Sequence, residues 1–183
     1  MNDQPKRLYV DHFGTRHKAA RAIWVLARVT LFRTTPGPLF KGWRRFLLRC
    51  FGATIGRGCR VDASCRIWSP KNLKMGDFSC LADGVDCYNV APITIGDYAT
   101  VSQRSFLCSA SHETHTLKRG LIFAPIAIGK QAWVCAEAYV GPGICIGDGA
   151  ILGARAVATR DLDKWSIYAG NPARRLSARE IDQ

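Results

Sequence analysis

IGKQAWVCAEAYVGPGICIGDGAILGARAVA, residues 128–158, returns to an aliphatic residue every sixth position, at Ile128, Val134, Val140, Ile146 and Leu152. Four residues after each comes Ala132, Ala138, Ile144, Ala150 or Ala156, and glycine often follows directly, as at Gly129, Gly141, Gly147 and Gly153. Neither a helical period of 3.6 nor a strand period of 2.0 produces this pattern, whereas short strands stacked in parallel coils do, with one aliphatic side chain per strand pointing inward. Working back, the same rhythm gives Ile55, Val61, Ile67, then Met75, Leu81, Cys87, then Ile95, Val101, Leu107, and its phase slips at three places. Cys59, Cys65, Ser79, Val85, Ala99, Ser105 and Ser111 continue the small or β-branched series, the positions expected near each corner. Glycine is expected to supply the backbone freedom of a tight corner, with Asp97 and Asp148 as turn formers after it. The fold expected is an all-β repeat, a parallel β-helix of about five coils.

The eight cysteines follow the repeat, with Cys59, Cys65 and Cys87 at inward or corner positions and no CxxC pair, so they read as small hydrophobes. No run of about eighteen apolar residues marks a membrane span, and Met1 to Asp11 is polar with no apolar signal segment behind it, so the compartment expected is the cytoplasm. The net charge of +12 is uneven: residues 1–60 hold 13 Lys and Arg against 2 acids, residues 61–183 hold 13 against 12. Two basic amphipathic helices are expected, one over 17–33 with Ile23, Trp24, Leu26, Ala27 and Leu31, another over 39–51 with Phe40, Trp43, Leu47 and Phe51, separated by Pro36 and Pro38. They either cap the open end of the coil or also lie on an anionic membrane, with Trp24, Trp43 and Phe40 at headgroup level and arginines at lipid phosphates. Nucleic acid is not expected as a partner, since no stacking platform accompanies the charge. The divisions expected are a helical extension over 1–52, the β-helix over 53–162 with an extruded loop at 109–125, and a tail over 163–183.

Between Leu107 and Ile128 the rhythm is suspended, and this stretch holds His112 and His115, the only histidines outside the basic leader. Long excursions from compact repeats tend to carry function. A histidine where a rigid coil gives way to a protruding loop is well placed as a general base, because imidazole exchanges protons near neutrality; His112 is the stronger candidate.

The runs CSASHETH from Cys108, PIAIGKQAWVCAEAYVGPGICIGDGAILGARAVATRDL from Pro125 and YAGNPARRL from Tyr168 resemble the hexapeptide-repeat acyltransferases, which are left-handed parallel β-helices. Among these the chain is most similar, over roughly residues 40–178, to the colanic acid biosynthesis acetyltransferase group, related to the maltose and galactoside O-acetyltransferases. The resemblance implies a homotrimer with acetyl-CoA in a groove between adjacent β-helices. It implies that His112 takes the proton from a sugar hydroxyl while backbone N–H groups stabilise the oxyanion, with no acyl-enzyme on Ser109 or Ser111. It places Trp133 as a wall of the transfer site, Ala136 and Ala154 along the pantetheine arm, and Thr159, Arg160 and Arg174 near the CoA phosphates. For the acceptor, Asp86, Tyr88 and Asn89 are candidates in a stretch that departs from the sugar-acetyltransferase pattern. The roles of Glu113, His115 and Glu137 stay open.

The function expected is acetyl-CoA-dependent O-acetylation of a saccharide, in surface polysaccharide assembly. A lipid-linked acceptor would suit membrane contact through residues 17–51 at the inner surface. If the leader only caps the coil, a soluble sugar, amino sugar or antibiotic is the acceptor. A metal enzyme of the same fold needs three protein ligands, and with only His112 and His115 in the repeat no metal is expected. A non-catalytic scaffold is the remaining alternative.

Overall fold

The computed structural model describes residues 13–35 and 40–181. The polar start, Pro36, Pro38 and the expected helix start at Leu39 lie outside the described residues.

Three parallel sheets form the faces of a prism. The first stacks Thr54–Ile55, Leu73–Met75, Ile93–Ile95, Ile126–Ile128 and Cys145–Ile146. The second stacks Arg60–Val61, Cys80–Leu81, Thr100–Val101, Trp133–Val134, Ile151–Leu152 and Ser166–Ala169. The third stacks Arg66–Ile67, Asp86–Tyr88, Phe106–Cys108, Tyr139–Val140 and Val157–Ala158. These make five full coils and part of a sixth, in which Leu162 bridges Ile146 on the first face. The parallel stack thus runs past residue 162, and Arg174–Ala178 folds back antiparallel on Ser166–Ala169.

Every inward position of the six-residue series is buried, and so are eleven of the twelve corner positions. Ser111 is the departure: it lies exposed in the loop rather than at a corner. Burial holds the Cys65 thiol at about 12 and raises that of Cys87 as well, in keeping with cysteines that serve as packing.

At the corner between the first and second faces Gly58 and Gly149 take the left-handed backbone expected of glycine, but the glycine that directly follows the inward residue has a different cause. Gly96 keeps an ordinary φ, but a Cβ there would lie 2.6 Å from the backbone nitrogen of Lys130 on the next coil. The left-handed backbone falls two residues later, on Phe78 (φ 57°) and Tyr98 (φ 59°), whose rings stack at 5.2 Å. Close approach of coils, rather than conformational freedom, is what excludes a side chain at position 96. Gly96→Ala is expected to cost about 2–3 kcal/mol, the scale of overpacking against an unyielding backbone, read as a lowered midpoint in urea.

The same corner carries a column of side chains in which each coil anchors its neighbour. Asp77 accepts hydrogen bonds from the Arg57 backbone and guanidinium, Asp97 from the Asp77 backbone N–H, and Asp148 from that of Lys130. All three carboxyls are held below their usual range, Asp77 and Asp148 first by these backbone donors, Asp97 first by the Lys130 ammonium and then by the Asp77 N–H.

The extra residues accumulate at the corner between the third and first faces. Two of the phase slips are two-residue expansions there, and the third is the long loop. Asn89 orders the second expansion, accepting from the Ser69 N–H at 2.9 Å and donating to the Ser69 carbonyl at 2.6 Å.

The leader caps the first coil. Thr15–Ala27 (α1) runs on as a wider π-turn over Arg28–Phe32, and Lys41–Cys50 (α2) follows. A bottom coil leaves carbonyls without partners on all three faces, and buried carbonyls need donors. Arg49 donates to Ile55 on the first face, Arg45 and Arg44 to Cys59 and Val61 on the second, and the Trp24 indole to Ile67 at 2.7 Å on the third. Trp24 is 2% exposed, so it belongs to the cap core and not to a headgroup layer, and the three arginines face the coil rather than lipid. Among the described residues no helix is long and apolar enough to cross a membrane.

Candidate active site

The long loop is a β-hairpin arm. Ala110–His112 pairs antiparallel with Leu121–Phe123, His112 opposite Leu121, before the chain rejoins the first face at Ile126–Ile128. Ser109 fastens its root: buried, its hydroxyl shares its one proton between the Tyr88 and Ala91 carbonyls and accepts from the Ala91 N–H. That role leaves Ser109 no place as a nucleophile, and Ser111 stands exposed one residue before His112.

His112 Nδ1 lies 2.8 Å from the Arg119 carbonyl. A carbonyl only accepts, so Nδ1 carries the proton and, in that neutral tautomer, the ring's lone pair is on Nε2. Arg119, at φ 45°, turns the returning strand so that its carbonyl meets the imidazole. Glu113 turns toward Gly120 and Thr116 within the arm, its backbone N–H bonding the Gly120 carbonyl at 2.8 Å. His115 is exposed at the arm's turn.

The other candidates divide between two edges of the prism. Trp133 projects from the second face, 45% exposed, its indole N–H donating to the Ser102 hydroxyl at 2.8 Å. Ala136 and Ala154 follow at the corner between the second and third faces, and Arg174 begins the reversed strand above them, opposite Ala169. Thr159 and Arg160 instead occupy the corner between the third and first faces, the edge from which the arm of His112 emerges. A single chain therefore does not bring His112 and Trp133 to one cleft. Glu137 lies between Arg155 and Arg104, which bind its two carboxylate oxygens and hold the carboxyl below its usual range.

Asp86 and Tyr88 look outward from the third face into a cavity of about 450 Å³ roofed by α1. Asn89 does not share it: its side chain is fully buried, with donor and acceptor both engaged by Ser69. The sequence reading missed the cavity's other walls. Arg66, Asp86 and Phe106 stack in register on successive coils, which outward alternation in the repeat could have revealed. Arg21 arrives from α1 and Arg28 from the π-turn that continues it, and no repeat encodes their docking.

No family model matches the chain. It is 37% identical over 151 residues, 82% of each chain, to the Escherichia coli protein named "Putative colanic acid biosynthesis acetyltransferase WcaF". It is 27% identical to the galactoside O-acetyltransferase of the same species over 76% of this chain and 69% of that one. In fold it matches a hexapeptide-repeat acetyltransferase of Vibrio cholerae solved with acetyl coenzyme A, with a TM-score of 0.85 at 22% identity over 93% of both chains. A repeat that closes on itself coil by coil, an arm that bears an oriented imidazole, and identity across four-fifths of a curated relative lead to one conclusion: the chain belongs to the hexapeptide-repeat acetyltransferases.

Proposed function

We propose that the protein transfers the acetyl group of acetyl-CoA to a saccharide hydroxyl, with His112 as general base. The contact between Nδ1 and the Arg119 carbonyl is the observation that carries this reading, because it selects the tautomer whose basic lone pair is on Nε2. When the acceptor hydroxyl lies against Nε2, the imidazole takes its proton as the oxygen bonds to the thioester carbon, and the coenzyme leaves as thiol. Neither Ser109 nor Ser111 is needed as an acyl carrier.

The division of candidates between two edges supports a homotrimer in which the cleft forms between neighbours. The arm of one copy, with Thr159 and Arg160, would face Trp133, Ala136, Ala154 and Arg174 of another. The small side chains of Ala136 and Ala154 would leave room for the pantetheine arm, and the exposed arginines would meet the coenzyme's phosphates. Arg174→Ala is expected to raise the KM for acetyl-CoA several-fold at nearly unchanged kcat, as a group that binds ground and transition states alike should. An equal fall in kcat would mean that the strand positions something besides coenzyme.

The acceptor reading is supported by Asp86 and Tyr88 in the cavity below the arm, where the Tyr88 carbonyl bonds Ser109 at the arm's root. The test is to supply saccharides with acetyl-CoA and follow thiol release and product mass. Mild alkali should remove the acetyl group, as from an ester; an alkali-stable product would make the enzyme an N-acetyltransferase. Thiol release that no saccharide stimulates would sink the reading.

Membrane contact at the cytoplasmic surface, with a lipid-linked acceptor, is favoured by the outer side of the cap. There Ile23, Leu26 and Phe46 are each more than half exposed, beside Trp43, whose indole donates to the Leu31 carbonyl. Co-sedimentation with anionic vesicles should fall when Leu26 and Phe46 are changed to Ser, with acetyl transfer to a soluble acceptor preserved. Failure of the native protein to sediment would leave the helices as a cap alone.

A further inference from the structure

The cavity between α1 and the third face has a composition that a neutral sugar does not call for. Its coil wall supplies three aromatic rings, Trp68, Tyr88 and Phe106, one from each of the first three coils. Flat rings of this kind cover the apolar faces of pyranose units. Its charged groups are Arg21 on α1, Arg28 at the start of the π-turn that continues it, Arg66 on the first coil and a single acid, Asp86 on the second.

The one acid does not balance the three cations. Arg66 pairs with Asp86 at 3.4 Å, while Arg21 stacks its guanidinium over the Trp68 ring at 4.2 Å from the centroid. Arg21 Nε is buried without a hydrogen-bond partner among the described residues, a donor that a bound group could satisfy. Arg28 stands near Arg66 and Arg33; burial, then these two cations, lower its guanidinium pKa, and Asp86 opposes them. Fixed guanidinium groups in excess over carboxylates, beside rings, form a receptor for an oxyanion attached to a sugar.

We infer that the acceptor is an anionic saccharide, bearing a phosphate ester or a carboxylate that Arg21, Arg28 and Arg66 hold while the rings of Trp68, Tyr88 and Phe106 seat its sugar. The inference rests on the reading of the protein as a saccharide acetyltransferase and narrows its acceptor. Tyr88, whose ring lines the cavity, lends its carbonyl to Ser109 at the root of the arm, which ties the seat of the sugar to the element that bears His112. The arginines select and seat the acceptor; they take no part in moving the proton.

The full-length protein, saturated with CoA so that the coenzyme's own phosphates are satisfied, is titrated with galactose, galactose 1-phosphate, galacturonic acid and inorganic phosphate. Binding is followed by calorimetry and by the 15N–1H signals of the arginine Nε groups. At least one anionic probe should bind tenfold or more tightly than galactose and shift the signals of Arg21, Arg28 and Arg66. Arg28→Gln should abolish most of that preference, and Arg66→Gln provides an independent check on the coil side of the cavity. Phosphate probes that bind while the uronate does not identify a phosphorylated acceptor, and the reverse identifies a uronic acid. The inference is overturned if galactose binds as well as every anion, if no anion binds, or if both variants retain the full preference. Acetyl transfer to a neutral saccharide alongside any of these outcomes would leave the acetyltransferase reading intact, whereas anion binding with no transfer to any saccharide would remove that reading and keep the site.

Discussion

His112→Ala should lower turnover by roughly a hundredfold or more, the usual scale for loss of a general base, while thermal stability and CoA affinity stay near their native values. The expectation follows from where the imidazole is anchored. The arm is held at its root by Ser109 and along its length by pairing of Ala110–His112 with Leu121–Phe123, so removing one half-exposed ring at its end leaves the backbone pairing in place. What disappears is the proton acceptor set by the Arg119 carbonyl. The measurement is kcat with a verified acceptor, together with a melting curve and a CoA titration. A variant that kept a near-native kcat would show that the hydroxyl proton leaves by another route. A variant that lost CoA binding as well would move His112 from proton transfer to cofactor binding.

Trp24→Ala should be the most damaging single change to the fold. Truncating a buried tryptophan costs about 3–5 kcal/mol, which for a chain of this size corresponds to a melting temperature lower by roughly 6–20 °C. The ring packs edge-on against Phe32 at 6.0 Å and tilted against Phe51 at 5.0 Å, and its N–H is the donor for the third face of the bottom coil. Trp24→Phe separates these contributions: it keeps much of the packing and loses the bond to Ile67, a change expected near 1–2 kcal/mol. If Trp24→Ala melted with the native protein, the cap would have to be held by the arginines of α2 alone.

How much of this could be read from the chain depends on the range of the interactions. Within the repeat, each inward residue meets its counterpart one coil away, so the spacing of Val101 from Ile95 and of Val140 from Val134 carries the packing with it. The arm was legible as the place where that spacing stops, and His112 as its histidine. Position 111 was misread because the arm leaves the coil before the next corner, so counting by six no longer describes the backbone there. Backbone freedom accounts for corner glycines such as Gly58 and Gly149, but at Gly96 the constraint comes from the coil above, which a local turn argument does not contain. Asn89 looked like a polar residue available to a ligand because its partner, the Ser69 backbone, is twenty residues away in an irregular corner. Arg44, Arg45 and Arg49 looked like a cationic face for the same reason, their carbonyl partners being supplied only when α2 docks on the first coil.

The two ends of the prism have a further consequence. Stacked parallel coils are templates for their own lengthening, since the last strand of one molecule could add the first strand of the next. Below, helices occupy that position; above, on the second face, the chain doubles back through Arg174–Ala178, an outermost strand of reversed direction studded with cations. Filament growth along the axis is thereby discouraged at both poles, and the flanks are left as the surfaces on which copies can meet.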